Sequence, residues 1–238
     1  NRMPFDTTNV TFPQLLQKVG YQTAMFGKLH FGNSPKGFDE FKILPGQGDY
    51  YNPDFITNKG DTTVTGYVTD IITDFTLDWL EKRRDTVKPF LLMYLHKAPH
   101  RTWMPAERHY QEFTKKTFPL PETLFDDYET RGAAARTAEM TILTEMQLGY
   151  DNKLSQKVVE ELNLKERYKR GAYDRMNPEQ KASWDEVYNP ISEEFKKDFA
   201  TMNDSTLTVW KYQRYMQDYL ASIAAVDENV GRVLNYID

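Results

Sequence analysis

Apolar positions along this chain repeat with two different periods. Tyr21 to Phe26 and Phe90 to Leu95 are short, nearly unbroken apolar runs, the pattern of strands buried on both faces in a parallel sheet. Between Gly66 and Arg84 the apolar residues Val68, Ile71, Ile72, Phe75, Leu77, Trp79 and Leu80 fall on a helical stripe with basic residues in the last turn. That helix returns the chain to the second strand, so strand, helix and strand make a right-handed crossover. Ahead of the first strand, Thr11 can cap a helix with Pro13 in its first turn, Leu15, Leu16 and Val19 facing inward, and Gly20 as its stop. Leu207 to Asp238 places Trp210, Met216, Leu220, Ile223, Val226, Val230, Val233 and Ile237 at helical spacing and reads as a core helix. The fold class that follows is α/β, a mostly parallel sheet flanked by helices.

Two stretches break these periods. From Gly32 to Gly60 turn formers dominate, including Pro35-Lys36-Gly37, Pro45-Gly46-Gln47-Gly48 and Asn52-Pro53. Phe38, Phe41, Tyr50, Tyr51 and Phe55 favour an ordered loop, and Asp49-Tyr50-Tyr51-Asn52 has the amphipathic character of a sugar-contacting wall. The same rings would serve equally to anchor the loop to the core. Residues 118–205 open on Pro119-Leu120-Pro121 and contain helical pieces around Ala133 to Leu148 and Asn177 to Tyr188, the latter with Asn177 as cap and Pro178 in the first turn. This part reads as a helical excursion on the rim of one domain covering residues 1–238. Asp151-Asn152-Lys153 superficially resembles a metal-site pair, but it lacks a following Gly and is expected in a helical setting, so it is not read as a metal site.

Lys28 and His30 follow the first predicted strand, and Lys97 and His100 follow the second. Loops at the carboxyl ends of parallel strands form the crevice of open α/β sheets, so these pairs can converge although they lie far apart in sequence. Two ammoniums and two imidazoles in one cleft suit an anionic substrate. Spacing alone is equally compatible with solvated loop lysines and satisfied histidines. His96 is expected at the strand end facing away from the cleft, Arg101 to Met104 along the rim, a short helix from Pro105 to Glu112, and His109 on the surface.

Composition narrows the options. With 238 residues, 39% of them hydrophobic and 14% aromatic, the chain can bury a large core. Its net charge of −5 argues against nucleic acid and anionic membranes as partners, so attraction for an anion must be local. The absence of cysteine excludes disulfides, thiolate metal sites and thiol nucleophiles within these residues. No apolar run has the length of a membrane span.

Gly20-Tyr-Gln-Thr-Ala-Met-Phe-Gly-Lys-Leu-His-Phe-Gly32, followed by Pro35-Lys36-Gly37-Phe38-Asp39-Glu40-Phe41, resembles the second signature block of the formylglycine-dependent sulfatases, with Leu29 where a Trp is usual. Pro89 to Leu95 ending in Lys97-Ala98-Pro99-His100-Arg101 resembles that family's next active-site block, and Tyr215 to Asp238 its long helix before the last metal-binding strand. The resemblance implies an alkaline phosphatase-like fold and hydrolysis of a sulfate ester. His30 and His100 would be catalytic, and Lys28 and Lys97 would bind the sulfate. The loop Gly48 to Pro53 and Arg101 to Trp103 are similar to glycan-desulfating members, which places Asp49, Tyr50, Arg101 and Trp103 against a sulfated carbohydrate. The family's Cys/Ser-x-Pro-x-Arg nucleophile pattern and its calcium-binding aspartates match no segment here. The resemblance therefore implies an internal portion of a catalytic domain, with nucleophile and calcium ligands supplied by the rest of the same polypeptide and no sulfate release by this portion alone. A periplasmic, secreted or lysosomal setting goes with the family. A phosphodiester or phosphonate hydrolase of the same superfamily, or a non-catalytic glycan- or anion-binding module, are the alternatives.

Overall fold

A computed structural model describes residues 4–168 and 171–238. The chain divides into two compact units, one made of the chain up to His100 together with Ile223–Asp238, the other of Arg101–Ser222.

The first unit is built on β1 (Gln22–Lys28), whose Thr23, Ala24, Met25 and Phe26 are buried on both faces of a five-stranded sheet. β2 (Glu40–Leu44) and β5 (Phe90–Leu95) flank it, both parallel to it. β3 (Asp54–Thr57) and β4 (Gly60–Thr63) add an antiparallel hairpin outside β2, giving the order β4-β3-β2-β1-β5. The sheet is thus mixed, and the stretch read as one long loop holds β2 and β3 and ends where β4 begins. The expected helix appears as α2 (Val68–Asp78), closed by a wider turn over Trp79–Arg83. It lays Val68, Ile71 and Ile72 into the core, and Phe75 meets Phe55 edge-on at 5.1 Å and Phe26 at 6.4 Å. The other face of the sheet buries Met25, Phe41 and Ile43.

α1 (Phe12–Lys18) forms where Thr11 and Pro13 place it, with the Thr11 amide donating to Gln14 Oε1 at 3.1 Å. Its inward face differs from the expected one, because Leu15 is 52% and Val19 69% exposed. The helix docks instead through Pro13, which is buried, and through Gln17, whose amide donates to Asp39 Oδ1 at 2.7 Å and Thr23 Oγ1 at 3.0 Å. Polar side-chain bonds outcompete the apolar stripe here.

The second unit is helical. α7 (Pro178–Phe199) starts where the Asn177 side chain accepts from the Gln180 amide, and α8 (Asp204–Ile237), which fills most of the last predicted segment, belongs to this unit up to Ser222 and to the first unit from Ile223 onward. Short helices α3 (Ala133–Arg136), α4 (Ile142–Glu145), α5 (Gln156–Glu161) and α6 (Gly171–Asp174) complete it, and the segment after Pro105 shortens to a single turn at Glu107–His109. Trp184 stacks on Tyr188 at 3.9 Å, with Tyr110 edge-on to both. Beside them lies a buried charge network: Asp218 receives Lys153 at 3.2 Å, Arg214 at 3.0 Å and the Tyr188 hydroxyl at 2.9 Å.

Candidate active site

Register brings three strand ends to one edge of the sheet. Gly27 pairs with Leu95 of β5 and Lys28 with Leu44 of β2, so the loops leaving β1, β2 and β5 emerge side by side. Gly27 has φ +117°, and a Cβ there would sit 1.7 Å from the Leu95 carbonyl oxygen. Only glycine permits this close pairing just where Lys28 is presented.

Past β2 the chain turns tightly, with the Gly48 amide donating to the Pro45 carbonyl at 2.9 Å. Gly48 has φ +68° and lies so close to Leu44 that a Cβ would come within 2.7 Å of Leu44 Cδ1. The turn holds Gln47 between the two lysines. Lys28 Nζ donates to Gln47 Oε1, and Lys97 Nζ donates to the Gln47 carbonyl at 3.0 Å. The Lys97 ammonium also stands 4.7 Å from the centre of the Tyr50 ring, and the Tyr50 hydroxyl donates to the His100 carbonyl at 2.6 Å. Lys28, Lys97 and His100 are therefore tied through one loop, Gln47 to Tyr50.

The electrostatics follow from this crowding. Lys97 is only 6% exposed, and burial together with the Lys28 charge lowers its pKa to about 8, partly opposed by Asp49. Burial also lowers that of Lys28. Two partly desolvated ammoniums, to neither of which a carboxylate is bonded among the described residues, attract an anion strongly. His30 and His100 are exposed at the same strand ends. Beside Lys28 and His30 opens a cavity of about 550 Å³ with apolar walls that include Met25, Phe31, Met93 and Leu95.

Tyr50, expected on the sugar wall, is 1% exposed, so it supports Lys97 and His100 from below. Asp49 is half-buried beside Lys97. Arg101 and Trp103 belong to the second unit, where Arg101 Nε and Nη2 donate to Asp151 at 2.6 and 2.5 Å and Nη2 also reaches the Glu145 carbonyl at 3.0 Å. The guanidinium lies over the rings of Tyr150 and Tyr168, and Trp103 packs edge-on against Tyr215 at 4.7 Å. Asp151 thus has a buried structural task, in a turn rather than the helical setting expected for it. His96 directly follows β5. Its ring meets Tyr94 edge-on at 4.3 Å, and burial lowers its pKa to about 4. His109 bonds Glu112 at 2.6 Å. Gln47 was not singled out from sequence; its one signal is a turn placed directly before Asp49 and Tyr50.

A sheet whose parallel strands end in paired lysines and histidines is the core of an alkaline phosphatase-like sulfatase domain. The chain matches the Sulfatase family over residues 4–238 and belongs to that family. It is 47% identical over 243 residues to the N-acetylglucosamine-6-O-sulfatase of Bacteroides thetaiotaomicron, covering 100% of this chain and 42% of that protein. The solved structure of BT4656 in complex with its substrate D-glucosamine-2-N,6-O-disulfate superposes with a TM-score of 0.90 at 46% identity, covering 99% of this chain and 47% of that one. A shorter likeness, 26% over 152 residues, links 51% of this chain to 27% of the uncharacterized sulfatase YdeN of Escherichia coli. The chain spans less than half the length of these relatives.

Proposed function

We propose that the polypeptide carrying these residues hydrolyses the sulfate ester of a sulfated carbohydrate, a sulfated glucosamine foremost. The observation that carries the reading is the convergence of Lys28 and Lys97 on Gln47, at the sheet edge where both histidines emerge. The N-acetylglucosamine-6-O-sulfatase identity of the B. thetaiotaomicron relative and the sugar bound to BT4656 support the substrate class.

In this reading water and the ester give an alcohol and sulfate. Lys28 and Lys97 hold the sulfate oxygens, each such contact being worth roughly 3 kcal/mol in a water-poor site. His100 gives a proton to the leaving sugar oxygen, a role worth about 10²–10⁴-fold. His30 contacts the hydroxyls of the nucleophile and takes up a proton as its sulfated form collapses, which releases sulfate. Asp49 is assigned to the sugar, and Tyr50 acts through Lys97. The nucleophile implied by the resemblance, a hydrated formylglycine, would supply those hydroxyls from outside these residues. Among the described residues no group of three or more His, Cys, Asp or Glu is arranged to hold a metal, so calcium is assigned no ligand here.

The test exploits leaving-group chemistry in the intact polypeptide. A general acid matters most when the leaving alkoxide is strongly basic. His100→Ala should therefore depress kcat/KM for a sulfated sugar far more than for an activated aryl sulfate, whereas Lys28→Ala should depress both by similar factors. Equal losses in His100→Ala would reduce His100 to a sulfate ligand, and undiminished turnover in Lys28→Ala would end the reading.

A further inference from the structure

We infer that Gln47 is a positioning residue, whose side-chain carbonyl holds the Lys28 ammonium in place while its backbone carbonyl holds that of Lys97, so that one residue sets the spacing of the two cations. The inference rests on the proposed sulfatase reading and adds to it a group to which neither the sequence patterns nor the chemistry of the reaction assigns a part.

Three observations carry it. Lys28 Nζ donates to Gln47 Oε1, and Lys97 Nζ donates to the Gln47 carbonyl at 3.0 Å. An ammonium has donors only, so the amide must present its oxygen to Lys28. The turn itself has little freedom: the Gly48 amide closes on the Pro45 carbonyl at 2.9 Å, and Gly46 and Gly48 take φ of +54° and +68° over the buried Leu44. The support continues beyond the turn, where the Tyr50 ring lies 4.7 Å from the Lys97 ammonium.

Neutral acceptors suit this task better than carboxylates would. A carboxylate at position 47 would neutralise Lys28 and compete with an anionic substrate, whereas an amide oxygen orients the ammonium and leaves its charge available. A lysine without such a partner has four rotatable bonds to freeze each time an anion binds, and the bond to Gln47 removes part of that cost beforehand.

The two contacts separate by mutation, because a side-chain change at position 47 removes the acceptor for Lys28 and leaves the backbone carbonyl for Lys97. A double-mutant cycle in the intact polypeptide, with kcat/KM for a sulfated sugar as readout, compares Gln47→Leu in the wild-type and Lys28→Met backgrounds. Gln47→Leu should lower kcat/KM about tenfold in wild type, the scale of one hydrogen bond to a charged group, and less than about twofold when Lys28 is already absent. Gln47 is exposed, so the thermal midpoint of Gln47→Leu should match wild type. Gln47→Glu keeps an acceptor but adds opposing charge, and its loss should exceed that of Gln47→Leu at low ionic strength and shrink as salt rises. Equal losses in both backgrounds, or no loss in wild type, would overturn the inference. If Lys28→Met itself left turnover intact, the sulfatase reading would fail first, and the two failures are thus distinguishable.

Discussion

Lys97 makes alkaline pH the sharpest probe of this site. Burial and the neighbouring Lys28 charge move its pKa from 10.5 to about 8. That displacement corresponds to about 3 kcal/mol of preference for the neutral amine. Only the ammonium can hold sulfate, so Lys97 should add to kcat/KM, which reports the free enzyme, a limb that falls as pH rises through about 8. Bound sulfate is anionic and restores the preference for the charged form, so the corresponding limb in kcat should lie at higher pH. Stability should move in the opposite sense. In the unfolded chain Lys97 keeps its proton to about pH 10.4, so above pH 8 the unfolded state binds more protons and the folded state gains stability as pH rises. Relative to Lys97→Met, the wild type should gain up to about 3 kcal/mol across that window, read from denaturant midpoints at each pH. Lys97→Arg carries a charge that does not titrate, so its activity should lack the limb near pH 8 whatever its absolute rate. A limb near pH 8 that survived in Lys97→Arg, or a wild type active without loss to pH 10, would refute the assignment.

Two further outcomes test the fold beneath the site. Gly27→Ala forces a Cβ to within 1.7 Å of the Leu95 carbonyl at φ +117°, so the β1–β5 pairing should give way, with a loss of more than about 3 kcal/mol in thermal or denaturant unfolding. In the buried network, Asp218→Asn removes the carboxylate that Lys153 and Arg214 share and should cost about 3–5 kcal/mol, whereas Lys153→Met leaves Asp218 paired with Arg214 and should cost less; chemical denaturation of both variants checks the order.

Local pattern in the amino-acid sequence was enough to determine the elements whose periodicity is strong. The run Phe90 to Leu95 is a strand at those bounds, the stripe from Val68 onward is α2, and Asn177 caps the helix expected after it. The positions of Lys28, His30, Lys97 and His100 at the ends of two parallel strands were also legible, because each pair comes within a few residues of an apolar run and the chain direction at a strand end is a local property. Elements that owe their form to partners far along the chain were not. β4 is Gly-Asp-Thr-Thr, exposed at every position, so no alternation of apolar and polar residues marks it; only pairing with β3 makes it a strand. α1 carries an apolar face, yet its Gln17 side chain bonds Asp39 and Thr23 and turns Leu15 to solvent. Tyr50 and Gln47 gain their parts in the same way. Nothing local shows that a tyrosine will lie under a lysine forty-seven residues later, or that one turn residue will receive two ammoniums. Periodicity encodes which face of an element is buried, whereas the identity of the group across the interface is set by register and by loops closing in three dimensions, which only the tertiary structure decides.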